Sequence, residues 1–154
     1  MKKIQLRAAI DAAKTIKVTK IEDSNLRHRL ITLNLHLLDE QEAFDKELRK
    51  LETVLLGAYE AKYKEVLKKR DDIAIELDPA KKKELTEDIL RNYPDVLAAE
   101  RAYRRQAVEA GDKEIKTDLI PRAAFIDAMT AQDWDFAHLE DIHPLLEPEK
   151  KTKK

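Results

Sequence analysis

The chain has 154 residues, of which 40% are charged, with two glycines and no cysteine. Its 30 basic and 31 acidic side chains nearly cancel, so no overall field would draw the protein to nucleic acid or to an anionic membrane. The lack of cysteine excludes a disulfide framework, a thiolate metal site and a cysteine nucleophile. This length predicts one helical domain, which we place over residues 1–147 and follow with a charged flexible tail at 148–154.

The start of the chain is rich in lysine and alanine, and it is too polar for the apolar core of a signal peptide. No apolar run approaches the ~20 residues that a membrane-spanning helix needs. The sequence therefore predicts a cytoplasmic protein that does not enter a membrane.

Leucines at helical spacing predict a long helix from about Asn25 to Lys69, preceded by a short helix near the N-terminus. Asp23, Ser24 and Asn25 are candidates for the cap of the long helix, and Gly57 is the expected position of a kink. The helical period returns from Ala80, restarts at a proline and continues to a glycine, and two short helices follow near the C-terminus. We expect the second long helix to return antiparallel along the first.

Three short stretches alternate apolar and polar residues: "TIKVTKI" (15–21), "IAIEL" (73–77) and "EIKTDLI" (114–120). Alternation is typical of strands, and an isolated strand pair is marginal in water, so these stretches should pair with each other. The predicted fold class is therefore mainly α, with a long antiparallel helical hairpin, a small β platform and a short C-terminal helical segment.

The sequence offers little for catalysis. With glycine only at positions 57 and 111, a phosphate-binding glycine-rich loop is excluded. Glu140 and His143 have the Glu-x-x-His spacing of di-iron carboxylate bundles, but those sites use two such motifs and further glutamates. We predict no catalytic residue, no metal and no cofactor; a metal site formed by Glu140 and His143 across a dimer is the alternative.

Two basic clusters have two interpretations. Arg27, His28 and Arg29 form one cluster, and Arg101, Arg104 and Arg105 form the other. They could form one basic patch that contacts an acidic protein surface or a phosphate backbone. Alternatively, they pair within the chain, with Asp23, Glu100 or Glu109 as partners, which is the usual outcome for surface charges.

Several leucines lie off the main apolar seam of the long helix, and exposed apolar side chains of this kind mark protein–protein interfaces. The predicted protein-binding residues combine three of these leucines with four arginines of the basic clusters: Leu35, Leu38, Leu56, Arg27, Arg29, Arg104 and Arg105.

The order of parts resembles a family of small helical proteins of uncharacterised function from tailed phages and prophages. The resemblance is carried by "IKVTKI", "NLRHRLITLNLHLL" and the closing "EIKTDLIPRAAFIDAMTAQDWDFAHLEDIHPLL". It has no counterpart for "YPDVLAAERAYRRQ". The resemblance implies a virion or assembly component, encoded among structural or tail genes, with no catalytic residues.

The predicted function is that of a non-enzymatic phage structural or assembly protein that acts through helical protein–protein contacts. Its expected partners are itself, as a homo-oligomer, or other structural proteins, without nucleic acid or membrane. The expected location is the host cytoplasm or the virion. The alternative is a small effector or binding module that docks on a host protein or a nucleic acid through the basic patch.

Overall fold

A computed structural model describes residues 1–148, so residues 149–154 of the predicted tail lie outside the described residues. Residues 1–148 form seven α-helices joined by short 3₁₀ turns and extended segments. The helices are α1 (Leu6–Lys14), α2 (Ser24–Leu56), α3 (Glu60–Ile75), α4 (Pro79–Asn92), α5 (Pro94–Gly111), α6 (Arg122–Ala131) and α7 (Leu139–Ile142). The prediction of a mainly α fold is confirmed.

The chain divides into two compact units, and each has its own buried side chains. Of the described residues, the first unit contains Met1–Asp45 and 111–148, and the second contains Lys46–Ala110. The single domain expected over residues 1–147 stays a prediction.

The first unit packs α1, the N-terminal part of α2, α6 and α7 around one core. Its buried apolar residues are Leu6, Ala9, Ile10, Ala12, Ile16, Ile21, Leu26, Leu30, Leu33, Leu37, Phe44, Ile115, Ile120, Phe125, Met129, Trp134, Ile142, Leu145 and Leu146. The Trp134 ring meets Phe125 edge-on at 5.6 Å, and its Nε1–H donates to Thr15 Oγ1 at 2.7 Å. The C-terminal aromatic residues thus belong to the same core as α1.

The second unit contains a helical hairpin in which α3 and α4 pack against each other across the connection 76–78. Val66, Ile89 and Val96 form its buried cluster. Tyr59, Tyr63, Ile73, Tyr93 and Leu97 pack around that cluster. The second unit is therefore held together by a small apolar core against which three tyrosines pack.

Local sequence explains where the helices begin and break. The Asp23 carboxylate accepts hydrogen bonds from the N–H groups of Asn25 and Leu26, at 2.9 and 3.1 Å, and so caps α2. After α2 the regular α-helix gives way to a 3₁₀ turn at Gly57–Tyr59, where the kink was predicted. Pro94 starts α5 one residue beyond the end of α4, because proline lacks the N–H that would continue a helix but fits the first turn of a new one.

The predicted β platform is wrong, since residues 1–148 contain no strand. In "TIKVTKI", residues 18–20 form a 3₁₀ turn whose N–H groups bond locally, and the Lys17 N–H donates to Gln132 Oε1 at 2.8 Å. In "IAIEL", Ile73 ends a helical stripe that starts at Tyr59, while Ile75 is exposed. The N–H groups of the first stretch thus bond within a local turn or to Gln132, and residues 73–75 of the second stretch belong to α3. Among residues 1–148, neither stretch pairs with a neighbouring strand.

The third predicted strand, "EIKTDLI", is extended but bridges other segments only at its ends. Lys2 forms an antiparallel bridge with Glu114, and Ile120 forms a parallel bridge with Leu146. The segment crosses the first unit as a single extended chain, held by the burial of Ile115 and Ile120.

Candidate protein-contact surface

The surface of α2 carries an apolar stripe, which we define as Ile31, Leu35 and Leu38. These side chains are 46%, 58% and 42% exposed within the first unit. At about 100° per residue they lie within about 60° of one another around the helix axis. Two successive turns of α2 thus present branched apolar side chains to water.

The stripe exists because α2 has two apolar faces in its N-terminal half. Leu26, Leu30, Leu33 and Leu37 are buried and line the face that packs into the core. The apolar stripe is centred about 135° around the helix from that buried face. A helix that packs against a core on a single side needs a single apolar face. Packing within the first unit therefore does not account for the apolar stripe.

Charges of opposite sign flank the apolar stripe along α2. Arg27 and His28 precede it by one turn, and Asp39 and Glu42 follow it. This gives the face a basic end and an acidic end, with the apolar side chains between them.

Leu35 and Leu38, predicted as contact residues, are exposed, whereas Leu56 is only 3% exposed. The prediction that Leu56 lies on an accessible apolar face was therefore wrong. Its backbone φ of −111° departs from the helical value at the start of the 3₁₀ turn. A side chain this deeply buried cannot supply an exposed contact.

Ile31 belongs to the apolar stripe but was not among the predicted contact residues. It precedes Leu35 by four positions and Leu38 by seven, which is the spacing of one helix face. That spacing is visible in the sequence, so the helical period alone assigns Ile31 to the same face as Leu35 and Leu38.

The arginines of the first basic cluster donate hydrogen bonds within the chain. Arg27 Nη1 donates to the carbonyl of Ile21 at 3.2 Å, and Arg29 Nη1 donates to that of Leu119 at 3.4 Å. Backbone carbonyls, and not the predicted acidic side chains, accept these bonds. The two arginines thereby tie α2 to the residue at position 21 before it and to the extended segment 116–120.

In the second cluster, Arg104 Nη2 donates to Glu100 Oε1 at 2.9 Å, one of the predicted pairings within the chain. Glu100 is only 5% exposed, and it also accepts two bonds of 2.7 Å from the guanidinium of Arg70. These hydrogen bonds, first from Arg70 and then from Arg104, hold the pKa of Glu100 below its usual range. Arg105 is exposed on the same helix.

A half-open cleft of about 850 Å³ lies in the first unit between α2 and the extended segment 116–120. Arg29 and Lys116 line it together with Asp118 and Glu147. One His36 ring nitrogen, Nε2, is 3.0 Å from the carbonyl oxygen of Lys116 and ties α2 to this segment. The formal charges of these two basic and two acidic side chains cancel.

Among residues 1–148, no group of three or more histidine and acidic side chains is placed to hold a metal ion. In the same part of the chain, none of the helices combines the length and apolar character needed to cross a membrane. Comparison with protein-family models, with curated proteins and with solved structures found no match to this chain.

Proposed function

We propose that this chain is a non-enzymatic structural or assembly protein that works by packing a helical surface against copies of itself or against another protein. The observation that carries the proposal is the apolar stripe of α2, whose three side chains remain exposed after the first unit has formed its core. Removing them from water on contact would contribute free energy in proportion to the apolar area covered. Contiguous exposed apolar side chains bordered by charges favour a protein partner.

The phage assignment within this proposal is supported by the sequence resemblance. "NLRHRLITLNLHLL", one of the stretches that carry the resemblance, forms the part of α2 with the apolar stripe. The proposed location is accordingly the host cytoplasm or the virion.

The alternative, a binding module that docks through a basic patch, has less support. Arg27, Arg29 and Arg104 each donate a hydrogen bond within their own unit. A partner that took these guanidinium groups would have to replace bonds already made. Exposed Arg105 remains the predicted contact of this alternative.

The mass in solution at low and high salt tests the proposal. Size-exclusion chromatography with light scattering should give a multimer under both conditions at high protein concentration, because apolar contacts hold or tighten as salt rises. A monomer at every concentration and both salt levels would contradict assembly through self-contact. Nucleic-acid binding that falls steeply with salt would instead favour the basic-patch alternative.

A further inference from the structure

We propose that the apolar stripe of α2 is the contact with a second copy of this chain, in an antiparallel, two-fold symmetric helix pair centred at Leu35. This inference rests on the proposed function and adds the partner and the geometry of the contact.

The spacing of the apolar stripe is self-complementary in the antiparallel direction. With the two-fold axis midway between positions 34 and 35, Ile31 of one copy lies opposite Leu38 of the second copy, and the two Leu35 residues are offset by only about 1.5 Å along the helix axes. A two-fold interface has this property, because the same patch serves both partners. The three side chains of each copy then cover the three of the other.

The charges beside the apolar stripe select the antiparallel direction. In this pairing, His28 of one copy lies opposite Glu42 of the second copy. The positive charge of Arg27 lies beside this contact while its guanidinium keeps the hydrogen bond to the carbonyl of Ile21. Around the helix, His28, Arg27 and Glu42 all lie within about 60° of the centre of the stripe. A parallel pair would place Glu42 beside Glu42 and the basic residues beside each other. Like charges at an interface disfavour that register.

The contact is small, so the expected affinity is modest. The apolar stripe spans about 10 Å of helix, less than the stable interfaces that bury roughly 1,200 Å² or more in total. We expect the pair to dissociate in the micromolar range, with the apolar side chains supplying the affinity and the flanking charges setting the direction.

A single spin label tests the geometry, and the cysteine-free chain makes such labelling specific. Ser24→Cys places the label at the exposed start of α2, outside the apolar stripe and its flanking charges. In the antiparallel pair, the two labelled backbone positions are separated by about 30 Å along the helix axes. In a parallel pair they are separated by about 10 Å, the usual distance between packed helices.

A charge exchange supplies an independent readout of direction. His28→Glu alone should weaken the self-association several-fold, because the introduced carboxylate would face Glu42 of the second copy and the two negative charges repel each other. Adding Glu42→Lys to the same chain should restore the affinity to at least the starting value. In a parallel pair the double variant would still face like with like at both positions, so the affinity lost in His28→Glu would not be recovered. Circular dichroism of each variant verifies that the helices are retained.

The outcomes separate the inference from the proposed function. A label separation near 30 Å and recovery in the double variant support the antiparallel pair. A multimer with a shorter or much longer separation, or without recovery, overturns the antiparallel pair and leaves the assembly function standing. A chain that stays monomeric at all concentrations overturns the inference and, with it, assembly through self-contact. A mixed complex that forms only with another protein overturns the inference and leaves the proposed contact function standing.

Discussion

Glu100 shows most clearly how a single residue stabilises the second unit. Its carboxylate is buried, and it accepts two hydrogen bonds from Arg70 of α3 and one from Arg104 of α5. A buried charge without partners is strongly unfavourable, so these two arginines make the burial possible. The sequence suggested Arg104 as a partner but not Arg70, which is 30 residues away along the chain.

Glu100→Gln should destabilise the second unit by about 2–4 kcal/mol near neutral pH, because the two guanidinium groups lose their anionic acceptor. The pKa of Glu100 is lowered in the folded state, so its stabilising effect is present above the usual glutamate range. That effect is lost as the pH falls through the lowered value. Urea unfolding at neutral and acidic pH should therefore show the difference between wild type and variant shrinking in acid.

Glu60→Gln is the matched control for this prediction. Glu60 pairs with Lys64 at 2.8 Å, but both side chains are exposed to water. Solvent screens such pairs, so this variant should unfold at the wild-type urea concentration. Equal destabilisation by the two substitutions would show that burial of Glu100 does not govern its contribution.

At the scale of elements, helical periodicity predicted the mainly α fold correctly, whereas two-residue alternation wrongly predicted strands. Tyr59, Tyr63, Val66 and Ile73 continue one helix face, and the alternation of Ile73 with Ile75 is a coincidence at the end of that helix. A sequence window cannot tell whether the next apolar residue meets a core or water. Ile75 is exposed, so only Ile73 carries packing information.

The candidate contact surface was predictable only in part, for a similar reason. Leu35 and Leu38 could be assigned because α2 stays regular through the first unit. Leu56 could not, because helical spacing does not tell whether other parts of the chain cover a side chain at the end of α2. Distant packing of that kind leaves no local pattern in the sequence.

Gly57→Ala should stabilise the chain by about 0.5–1 kcal/mol, because glycine loses more backbone entropy on folding than alanine. Gly57 does not have a positive φ, and a Cβ there would meet only Thr53 Cγ2, at 3.9 Å. Thermal unfolding followed by circular dichroism measures the gain.

Gly111→Ala provides the comparison. A Cβ at Gly111 would lie 3.4 Å from Ile4 Cβ and 3.6 Å from Phe44 Cζ, so the gain there should be smaller. A loss of stability in Gly57→Ala would show that the turn needs the conformational freedom of glycine.

At the scale of the whole molecule, each compact unit carries its own aromatic probe. Trp134, the single tryptophan, lies in the first unit, and all four tyrosines lie in the second: Tyr59, Tyr63, Tyr93 and Tyr103. Tryptophan emission and tyrosine absorbance can therefore follow the two units separately during unfolding.

Val66→Ala should lower the unfolding midpoint seen by tyrosine absorbance, since it removes two methyl groups from a fully buried position at a cost of about 2 kcal/mol. The midpoint seen by Trp134 emission should move less. Phe125→Leu, in the core of the first unit, should have the reverse effect. Equal shifts of both midpoints in both variants would mean that the units unfold in one cooperative step.

The central claim is that the apolar stripe of α2 is a protein-contact surface, and a concentration series by sedimentation equilibrium tests it most directly. Leu35→Ser should raise the dissociation constant of self-association at least about tenfold, because two leucines are lost from each pair. Leu90→Ser is the matched control, since Leu90 is 61% exposed, close to the 58% of Leu35, but lies on α4. The account predicts weakened association in Leu35→Ser and wild-type association in Leu90→Ser; unchanged association in Leu35→Ser would contradict it.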